Sequence, residues 1–384
     1  MRILVTTSPP LGHVLPVVPL AQSLAKAGQE VRWATGADAV SVVQQAGIPC
    51  DTCGMSSTER RATYFERYPE AKSLAPEDLS SHMFPRLFGA VSAPEMIDGL
   101  LPLAERWRPD LVLHETGELA APIVAARLGV PHITHAFGSP VPEERLASAT
   151  EFVAPLWHQL GFEVPPYGGV FDDLYLDIYP PGLQFREDTH VRNATPLRPV
   201  FWTPPFSDTS SWQPDVVHPR IYVTFGTVFN EPGAVFDNAV HAASEVGAQV
   251  LVTVGHNGDV HAFDPLPRSV TVAPFVPQSK VLEWCDVVVS HAGSGTFLGS
   301  ITAGIPQLCL PQAADQFRNA AACERAGVGF SLGPGAASAD AIRDALRHLL
   351  HGHDFHDATA LLATEIAAMP HPDEVAAEIV DRYG

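Results

Sequence analysis

Short apolar runs alternate along the first half of the chain with stretches in which apolar residues recur every three or four positions. The short runs predict buried strands at residues 3–7, 31–35, 110–114 and 131–134. The longer stretches predict helices. In one of them Val17, Leu20 and Leu24 share a face before Gly28, and in another a helix runs through Leu128 and stops at Gly129. Such alternation predicts a parallel sheet with helices on both of its faces.

The same alternation begins again near residue 221. It predicts strands at residues 221–225, 250–254, 270–272, 286–290 and 307–310, and helices at about 318–326, 340–350 and 373–383. Between residues 195 and 220 the pattern stops, because prolines crowd a segment that also contains a serine-rich stretch. The chain therefore predicts an α/β protein with one Rossmann-like domain at residues 1–200, a Pro-rich linker at 201–219 and a second domain at 220–384, which includes the C-terminal helix.

Charge excludes one class of partner. The chain of 384 residues has a formal net charge of -20, and its only lysines are Lys26, Lys72 and Lys280. Nucleic acids are bound by basic patches, so we expect no nucleic-acid partner. A nucleotide diphosphate can still bind, because backbone N–H groups at a helix N-terminus hold phosphate without any net positive charge.

The sequence also predicts a cytoplasmic protein without a membrane span or a metal. Residues 1–7 meet Pro9-Pro10 instead of a cleavage site, and no run of about 18 apolar residues is evident. Cys50 and Cys53 form a CxxC, but neither a second pair nor a histidine lies at zinc spacing. A histidine cluster at positions 348, 351, 353 and 356 lacks acidic or cysteine ligands, and we interpret it as a solvated helix end.

One glycine-rich turn is typical of phosphate binding. Residues 290–296 (SHAGSGT) follow a predicted strand and open a helix, so their amides can approach phosphate oxygens closely. The alternatives are a tight turn without a ligand and a dinucleotide fingerprint in a nicotinamide oxidoreductase. A fingerprint belongs in the first strand–helix turn of its domain. The first turn of this chain, residues 8–13, has only Gly12, which disfavours the oxidoreductase.

Further candidates follow other predicted strands. Asp315 and Gln316 come after the strand at 307–310 and could bind paired sugar hydroxyls, although Asp315 could instead cap a helix. His13 follows the first strand and is a competent base at neutral pH. Such a base needs a carboxylate partner. Glu115 suits this role, because it ends the strand at 110–114; Glu118 and Asp110 are the weaker alternatives.

Four motifs in a fixed order then give a specific resemblance. They are Gly12-His13-Val14-x-Pro16, Phe275-Val276-Pro277-Gln278, the turn His291–Thr296 and Ala314-Asp315-Gln316-Phe317-x-Asn319-Ala320. Together they resemble the GT-B glycosyltransferases that decorate natural products in actinomycetes, relatives of the plant UDP-sugar enzymes. The resemblance implies two Rossmann-like domains that face each other across a cleft. It covers essentially the whole chain and is weakest over residues 55–105 and 140–215.

The resemblance also implies roles for single residues. His13 matches the base that activates the acceptor, and Glu115 matches the carboxylate that orients this base. The donor-binding positions are Thr227 near the diphosphate, Phe275 and Val276 at the nucleotide base, His291, Gly293, Ser294, Gly295 and Thr296 around the diphosphate, and Asp315 and Gln316 at the sugar. Two departures matter. Glu115 stands where Asp is more usual, and Gly299 stands where many relatives carry a ribose-binding Glu, which is compatible with a thymidine donor.

From these observations we expect an inverting glycosyltransferase that moves a sugar or deoxysugar from a nucleoside-diphosphate donor, a dTDP-sugar, to a hydrophobic aglycone. The donor is a substrate, and neither a cofactor nor a metal ion is expected. Aromatic residues of the variable region can line the acceptor pocket: Trp157, Phe162, Tyr167, Phe171, Tyr175 and Tyr179. A homodimer is compatible with the sequence. The alternatives are a sugar epimerase of the same fold and a catalytically silent auxiliary partner.

Overall fold

The computed structural model describes residues 1–204, 212, 217–226, 233–255 and 258–384. The chain divides into two compact units. Unit 1 comprises Met1–Tyr179, Phe185–Pro204 and Met369–Gly384, and unit 2 comprises Pro180–Gln184 and Pro205–Ala368. Most of the predicted linker at 201–219 lies outside the described residues, so the linker and the domain limits drawn around it stay predictions.

Unit 1 is built on a sheet of seven parallel strands. They are β1 (Arg2–Thr6), β2 (Glu30–Thr35), β3 (Cys50–Thr52), β4 (Leu111–Glu115), β5 (His132–His135), β6 (Leu174–Asp177) and β7 (Ala194–Pro196). Their order across the sheet is β3-β2-β1-β4-β5-β6-β7. The predicted strands of this half are confirmed. They could be predicted because the central strands are buried on both faces, as Ile3, Leu4 and Val5 show, and so form continuous apolar runs.

Helices flank this sheet. They are α1 (Leu11–Val14), α2 (Val18–Lys26), α3 (Ala37–Gln45), α4 (Ser57–Arg67), α5 (Pro76–Phe84), α6 (Ala93–Trp107), α7 (Ala121–Leu128) and α8 (Glu143–Gln159). A π-helical segment, Pro85–Ser92, joins α5 to α6. The predicted end of α7 is confirmed, since Gly129 caps it with a left-handed φ of 67° that glycine adopts at little cost.

Residues 76–107 form one continuous helical stretch of 32 residues. By length and composition this stretch would suffice to cross a membrane, contrary to the expectation from the sequence. Over half of its apolar window, 56%, is buried inside the protein, and buried core helices have the same length and composition. Pro85 and Pro94 each lie at the first or second position of a helical segment, where proline is tolerated.

Unit 2 repeats the plan with six parallel strands. They are β8 (Arg220–Thr224), β9 (Gln249–Thr253), β10 (Val270–Ala273), β11 (Val287–Ser290), β12 (Gln307–Cys309) and β13 (Gly329–Ser331), in the order β10-β9-β8-β11-β12-β13. Its helices are α9 (Ala234–Ser244), α10 (Gln278–Leu282), α11 (Ser294–Thr302), α12 (Gln316–Arg325), α13 (Ala339–His351) and α14 (His353–Ala368). The core lies on both faces of the sheet, with Val223, Val252 and Val289 fully buried on one face.

The last helix, α15 (Pro372–Tyr383), packs on unit 1, although the sequence placed it in the second domain. It lies against α2, where Asp373 accepts hydrogen bonds from Ser23 Oγ at 2.7 Å and from Lys26 Nζ at 2.8 Å. Its apolar face, with Val375 and Ile379, is buried there. The sequence pattern of a helix does not specify which unit it packs against. The return of α15 to unit 1 could therefore not be predicted from the sequence.

In each sheet the strand order reverses at one place. In unit 1 the reversal lies between β1 and β4, and in unit 2 between β8 and β11. Ligands of open parallel sheets bind outside the carboxyl ends of the strands at this switch point. His13 lies in α1 just after β1, Glu115 is the last residue of β4, and His291 lies in the loop that follows β11.

Candidate functional site

The first candidate site lies at the switch point of unit 1. His13 is on the short helix α1, just after β1, and Glu115 is the last residue of β4. His13 Nδ1 lies 3.2 Å from Glu115 Oε2, which is within ion-pair distance, although the direction of the ring N–H falls short of a full hydrogen bond. The structure therefore brings the two residues together, and the longer Glu side chain reaches the imidazole.

Backbone amides hold the Glu115 carboxylate in place. Ser8 N–H donates to Oε1 at 3.1 Å, and Gly117 N–H donates to Oε2. Burial alone would raise the pKa of this fully buried group. The charge and close approach of His13, with the hydrogen bonds from the amides of Gly117 and Ser8, outweigh burial and hold the pKa of Glu115 below its ordinary value. Glu115 is therefore a fixed negative charge at neutral pH, as a partner for an imidazolium must be.

Two aromatic rings flank the imidazole. Its centroid lies 4.3 Å from that of Phe137, which follows β5, and 5.3 Å from that of Phe88, which is in the π-helical segment. The His13 side chain keeps 14% of its surface exposed, whereas Glu115 keeps none. Because Nδ1 is next to Glu115, a reacting hydroxyl group can approach His13 only at the exposed part of its ring.

The two weaker alternatives to Glu115 bond elsewhere. Glu118 accepts hydrogen bonds from Thr6 Oγ1 at 2.6 Å and from Ala120 N at 2.9 Å. Burial, only partly offset by these bonds, raises the pKa of Glu118 to about 7. Asp110 accepts from the Arg2 amide at the opposite end of the strands. Neither residue forms an ion pair with His13 within the described part of the chain.

The second candidate site lies at the switch point of unit 2, in the loop between β11 and α11. His291 is buried in this loop and packs against two glycines. A Cβ atom on Gly226 would lie 2.8 Å from the ring carbon Cε1, and one on Gly293 would lie 2.6 Å from Nε2. No side chain fits at these distances, so both positions need glycine for the imidazole to stay where it is.

Burial also fixes the protonation of this histidine. It lowers the pKa of His291 to about 4, and the charge of Asp315 offsets burial only in part. The imidazole is therefore neutral at neutral pH and can donate one hydrogen bond without carrying a charge. Phe225 stacks near the ring, with a centroid separation of 6.2 Å.

The N-terminus of α11 provides the amides that the glycine-rich turn predicted. Gly293 precedes the helix in an extended conformation, and the Phe297 amide is the first to bond back, to Gly293 O at 3.0 Å. The amides of Ser294, Gly295 and Thr296 therefore belong to the turn that a helix leaves without internal partners. Such a turn attracts anions because of its partial positive charge.

The loop after β12 is tied to this turn. Ser294 Oγ donates to Asp315 Oδ2 at 2.5 Å, and Asn319 Nδ2 donates to Ala292 O at 2.9 Å. The same amide also reaches Ser294 Oγ and Asp315 Oδ2. Asn319 belongs to the quoted motif, but its part in holding the two loops together could not be predicted from the sequence.

Asp315 and Gln316 differ in how they are placed. Asp315 stands at the N-cap position of α12, but its side chain makes no capping bond there, so the capping alternative is wrong. Gln316 is buried, and its Oε1 accepts the amides of Gln312 at 2.8 Å and Ala313 at 2.9 Å. The side-chain oxygen of Gln316 is therefore used within its own loop, and the side-chain amide nitrogen of Gln316 is the atom that can make the predicted sugar contact.

The remaining donor residues lie near the end of β10 or outside the described residues. Phe275 follows β10 and is half-buried, and Val276 is buried in the core beside α10. Gln278 Oε1 would lie 3.6 Å from a Cβ at Gly299, so α10 and α11 meet at this glycine. Thr227, predicted to lie near the diphosphate, falls outside the described residues.

Among the residues that the structure describes, the cysteines and the possible metal ligands show no sign of a functional site. All five cysteines are free, and burial raises the pKa of Cys50 to about 12 and of Cys53 to about 11, which makes both inert thiols. In the described ranges no group of three or more His, Cys, Asp or Glu residues could hold a metal ion.

Four of the aromatic residues that were predicted to line the acceptor pocket are buried in the core instead: Trp157, Phe171, Tyr175 and Tyr179.

Comparison with known families assigns both halves of the chain. The family model for the N-terminal domain of erythromycin biosynthesis protein CIII-like proteins matches residues 20–168, and the model for their C-terminal domain matches residues 237–381. Elloramycin glycosyltransferase ElmGT of Streptomyces olivaceus is 32% identical over 100% of this chain and 98% of its own length. The alternative of a nicotinamide oxidoreductase is therefore wrong.

Solved structures agree with this assignment. The glycosyltransferase SnogD from Streptomyces nogalater is 30% identical with a TM-score of 0.80, over 100% of this chain and 99% of that one. The Streptomyces sp. SF2575 glycosyltransferase SsfS6, complexed with thymidine diphosphate, is 28% identical with a TM-score of 0.80, over 99% of each chain. On its fold, its two family-model matches and these relatives, the chain belongs to the erythromycin CIII-like family and is a natural-product glycosyltransferase with the GT-B fold.

Proposed function

We propose that the protein transfers a deoxysugar from a dTDP donor to a hydroxyl group of a hydrophobic aglycone, with inversion at the anomeric carbon. The observation that carries this proposal is the approach of His13 Nδ1 to the buried Glu115 carboxylate at 3.2 Å, at the switch point of unit 1. The thymidine diphosphate bound to the 28% identical SsfS6 supports the choice of nucleotide. Gly299 supports it too, since thymidine lacks one of the ribose hydroxyls that a Glu at this position would hold.

In this proposal His13 is the general base. Its ring takes the proton of the acceptor hydroxyl while that oxygen bonds to the anomeric carbon, and the bond from this carbon to the diphosphate breaks. Glu115 stabilises the imidazolium that forms, because it is a fixed negative charge beside Nδ1. A positioned base of this kind contributes a factor of about 10² to 10⁴ in rate.

The loop between β11 and α11 receives the departing diphosphate. His291 and the amides of residues 294–296 offer hydrogen-bond donors to the phosphate oxygens, and because these donors are fixed beforehand they need no reorganisation as charge develops. Gly293 lets the backbone approach closely. Asp315 and the amide nitrogen of Gln316 contact the donor sugar. Phe275 stacks on the thymine, and the backbone groups of Val276 contact the edge of this base. Thr227 contacts the diphosphate. A cytoplasmic location and a homodimer stay predictions from the sequence.

The nucleotide can be tested without knowing the aglycone. A thermal-shift series with TDP, UDP, GDP and NADP⁺ at equal concentrations is expected to give the largest increase in Tm with TDP and none with NADP⁺, because a ligand of the folded state stabilises it by mass action. NMR of the anomeric proton in a product made from an α-linked dTDP-sugar is expected to show the β configuration. A retained configuration, or a Tm that responds to GDP as strongly as to TDP, would contradict the proposal.

A further inference from the structure

A pocket in unit 1 adjoins the His13–Glu115 pair and contains a buried cation. Its walls include Ser8, Arg60, Phe88, Met96, Gly117 and Glu118, and apart from its open side it has about 20 Å³ of free space, enough for one water-sized group. Ser8 and Gly117 are the residues whose amides hold Glu115, and Phe88 contacts the His13 ring. The pocket therefore lies directly beside the predicted base, where an acceptor bound for reaction has to place its other substituents.

Arg60 is held firmly in this pocket. It lies in the first turn of α4, which begins with a capping box between Ser56 and Glu59. Its own amide bonds to Ser56 O at 3.0 Å, and its guanidinium carbon lies 4.6 Å from the centroid of the Phe88 ring. Stacking on an aromatic face fixes the plane of a guanidinium and so the directions in which it can donate.

The guanidinium nevertheless has an unused donor. Arg60 is only 3% exposed, and nothing in the described part of the chain accepts a hydrogen bond from its Nη1. Burial lowers the pKa of Arg60 to about 10, while the charges of Glu115 and Asp38 oppose this effect, so the group stays cationic at neutral pH. A buried donor on a charged group destabilises the folded state when it is left without an acceptor. Such a group points to an acceptor atom that a ligand brings.

We propose that the aglycone carries an anionic oxygen, a carboxylate or the ionised hydroxyl of a conjugated ring, and that Arg60 Nη1 binds this oxygen. The oxygen then occupies the enclosed part of the pocket, the apolar body of the aglycone lies at its open side, and the attacking hydroxyl lies near His13. Arg60 thus selects the acceptor without taking part in proton transfer. This inference rests on the proposed function, and it narrows the acceptor from a hydrophobic aglycone to an acidic one.

Binding without a donor tests the inference independently of sugar transfer. The probes are 3-hydroxy-2-naphthoate and its neutral analogue 3-hydroxy-2-naphthamide, titrated by fluorescence against the wild type, R60M and R61M. Arg61 is the matched control, because it is on the same helix but exposed. We expect the wild type and R61M to bind the acid at least tenfold more tightly than the amide, and R60M to lose this preference. The proposal is overturned if the wild type binds the acid no more tightly than the amide. It is also overturned if R60M and R61M show the same ratio of affinities for the acid and the amide.

A second readout separates ligand binding from a structural role. Because R60M removes a buried charge with an unused donor, its Tm without ligand is expected to be no lower than that of the wild type, whereas a structural role for Arg60 would lower it. If R60M does not fold, R60Q provides the same comparison with a polar side chain of similar size. Loss of acid preference without loss of Tm supports the proposal, and loss of Tm without loss of preference contradicts it. Neither result depends on whether the enzyme transfers a sugar.

Discussion

His13 Nδ1 lies 3.2 Å from Glu115 Oε2, and Glu115 is in turn held by the amides of Ser8 and Gly117. This arrangement makes the carboxylate a fixed partner for the imidazolium that proton transfer would create. E115Q keeps the shape of the side chain but removes its charge. We expect kcat to fall by about 10² to 10⁴, the range over which a positioned base or its orienting carboxylate contributes. Initial rates at saturating donor and acceptor measure this effect.

The matched control for E115Q is E118Q. Glu118 is also buried and lies three residues further along the chain, but it bonds to Thr6 and Ala120. At saturating acceptor we expect E118Q to change kcat by less than an order of magnitude, because Glu118 lines the pocket next to Arg60 but does not pair with His13. Equal losses in the two variants would show that any buried carboxylate in this region matters and that the pairing with His13 has no special part in the rate.

Stability is expected to depend on pH through Glu118. Its folded-state pKa is raised to about 7 from an ordinary value of 4.5, so the folded protein binds more protons than the unfolded chain between these two values. Stability therefore decreases as the pH rises through this window, by about 3 kcal/mol for this group, since one unit corresponds to about 1.4 kcal/mol.

Calorimetry of the wild type and E118Q at pH 5 and pH 8 measures this contribution. E118Q cannot ionise, so we expect its Tm to decrease less between the two pH values than that of the wild type. Subtracting the change in Tm of E118Q between pH 5 and pH 8 from that of the wild type removes the effect of all titratable groups that the two proteins share. An identical pH dependence of Tm in both proteins would mean that Glu118 ionises in the folded state as readily as in water.

Gly293 is predicted to be essential for nucleotide binding. A Cβ at this position would lie 2.6 Å from His291 Nε2, so G293A has to displace the imidazole from the turn. We expect the Kd for TDP to rise by about 10- to 100-fold, which corresponds to about 1.4–2.8 kcal/mol. Isothermal titration with TDP measures it. G333A is the control, because a Cβ at Gly333 meets nothing within 4 Å. Unchanged TDP affinity in G293A would exclude His291 from the phosphate site.

Asn319 is expected to stabilise the loops around the phosphate site. Its amide donates to Ala292 O, Ser294 Oγ and Asp315 Oδ2, so N319A leaves buried polar atoms without a partner. We expect a loss of about 1–3 kcal/mol in stability and weaker TDP binding. N238A is the matched control, because Asn238 donates to Ala337 O elsewhere in unit 2. We expect N238A to keep wild-type affinity for TDP. If both variants lose TDP affinity equally, the effect is one of general stability.

The strands and their carboxyl-end loops could be predicted because strong local patterns mark them. Central parallel strands form continuous apolar runs, and the glycines at 129 and 293 mark helix boundaries whose backbone requirements are local. His13 and Glu115 could be paired because both follow strands whose carboxyl ends meet at one edge of a sheet. The structure agrees with the preference for Glu115 over Glu118, because the Glu118 carboxylate bonds to Thr6 and Ala120 instead.

What could not be predicted depends on contacts distant in sequence. Nothing near Arg60 in the sequence indicates that it is buried against Phe88 beside the predicted base. Gln316 bonds back to the amides of Gln312 and Ala313 across Ala314, whose backbone is left-handed with a φ of 56°, and nothing in the sequence indicates this turn. The strands β3 and β7 are three residues long and partly exposed, so they form no apolar run, unlike the equally short but buried β12.

The most direct test of the proposed base is H13A, examined for TDP binding and for sugar transfer in the same preparation. We expect TDP to bind with a Kd within about twofold of that of the wild type, because His13 belongs to unit 1 and the nucleotide residues to unit 2. Transfer from a dTDP-sugar should fall by at least about 100-fold, the lower contribution of a positioned base. Transfer at the wild-type rate in H13A, with TDP still bound, would contradict the account.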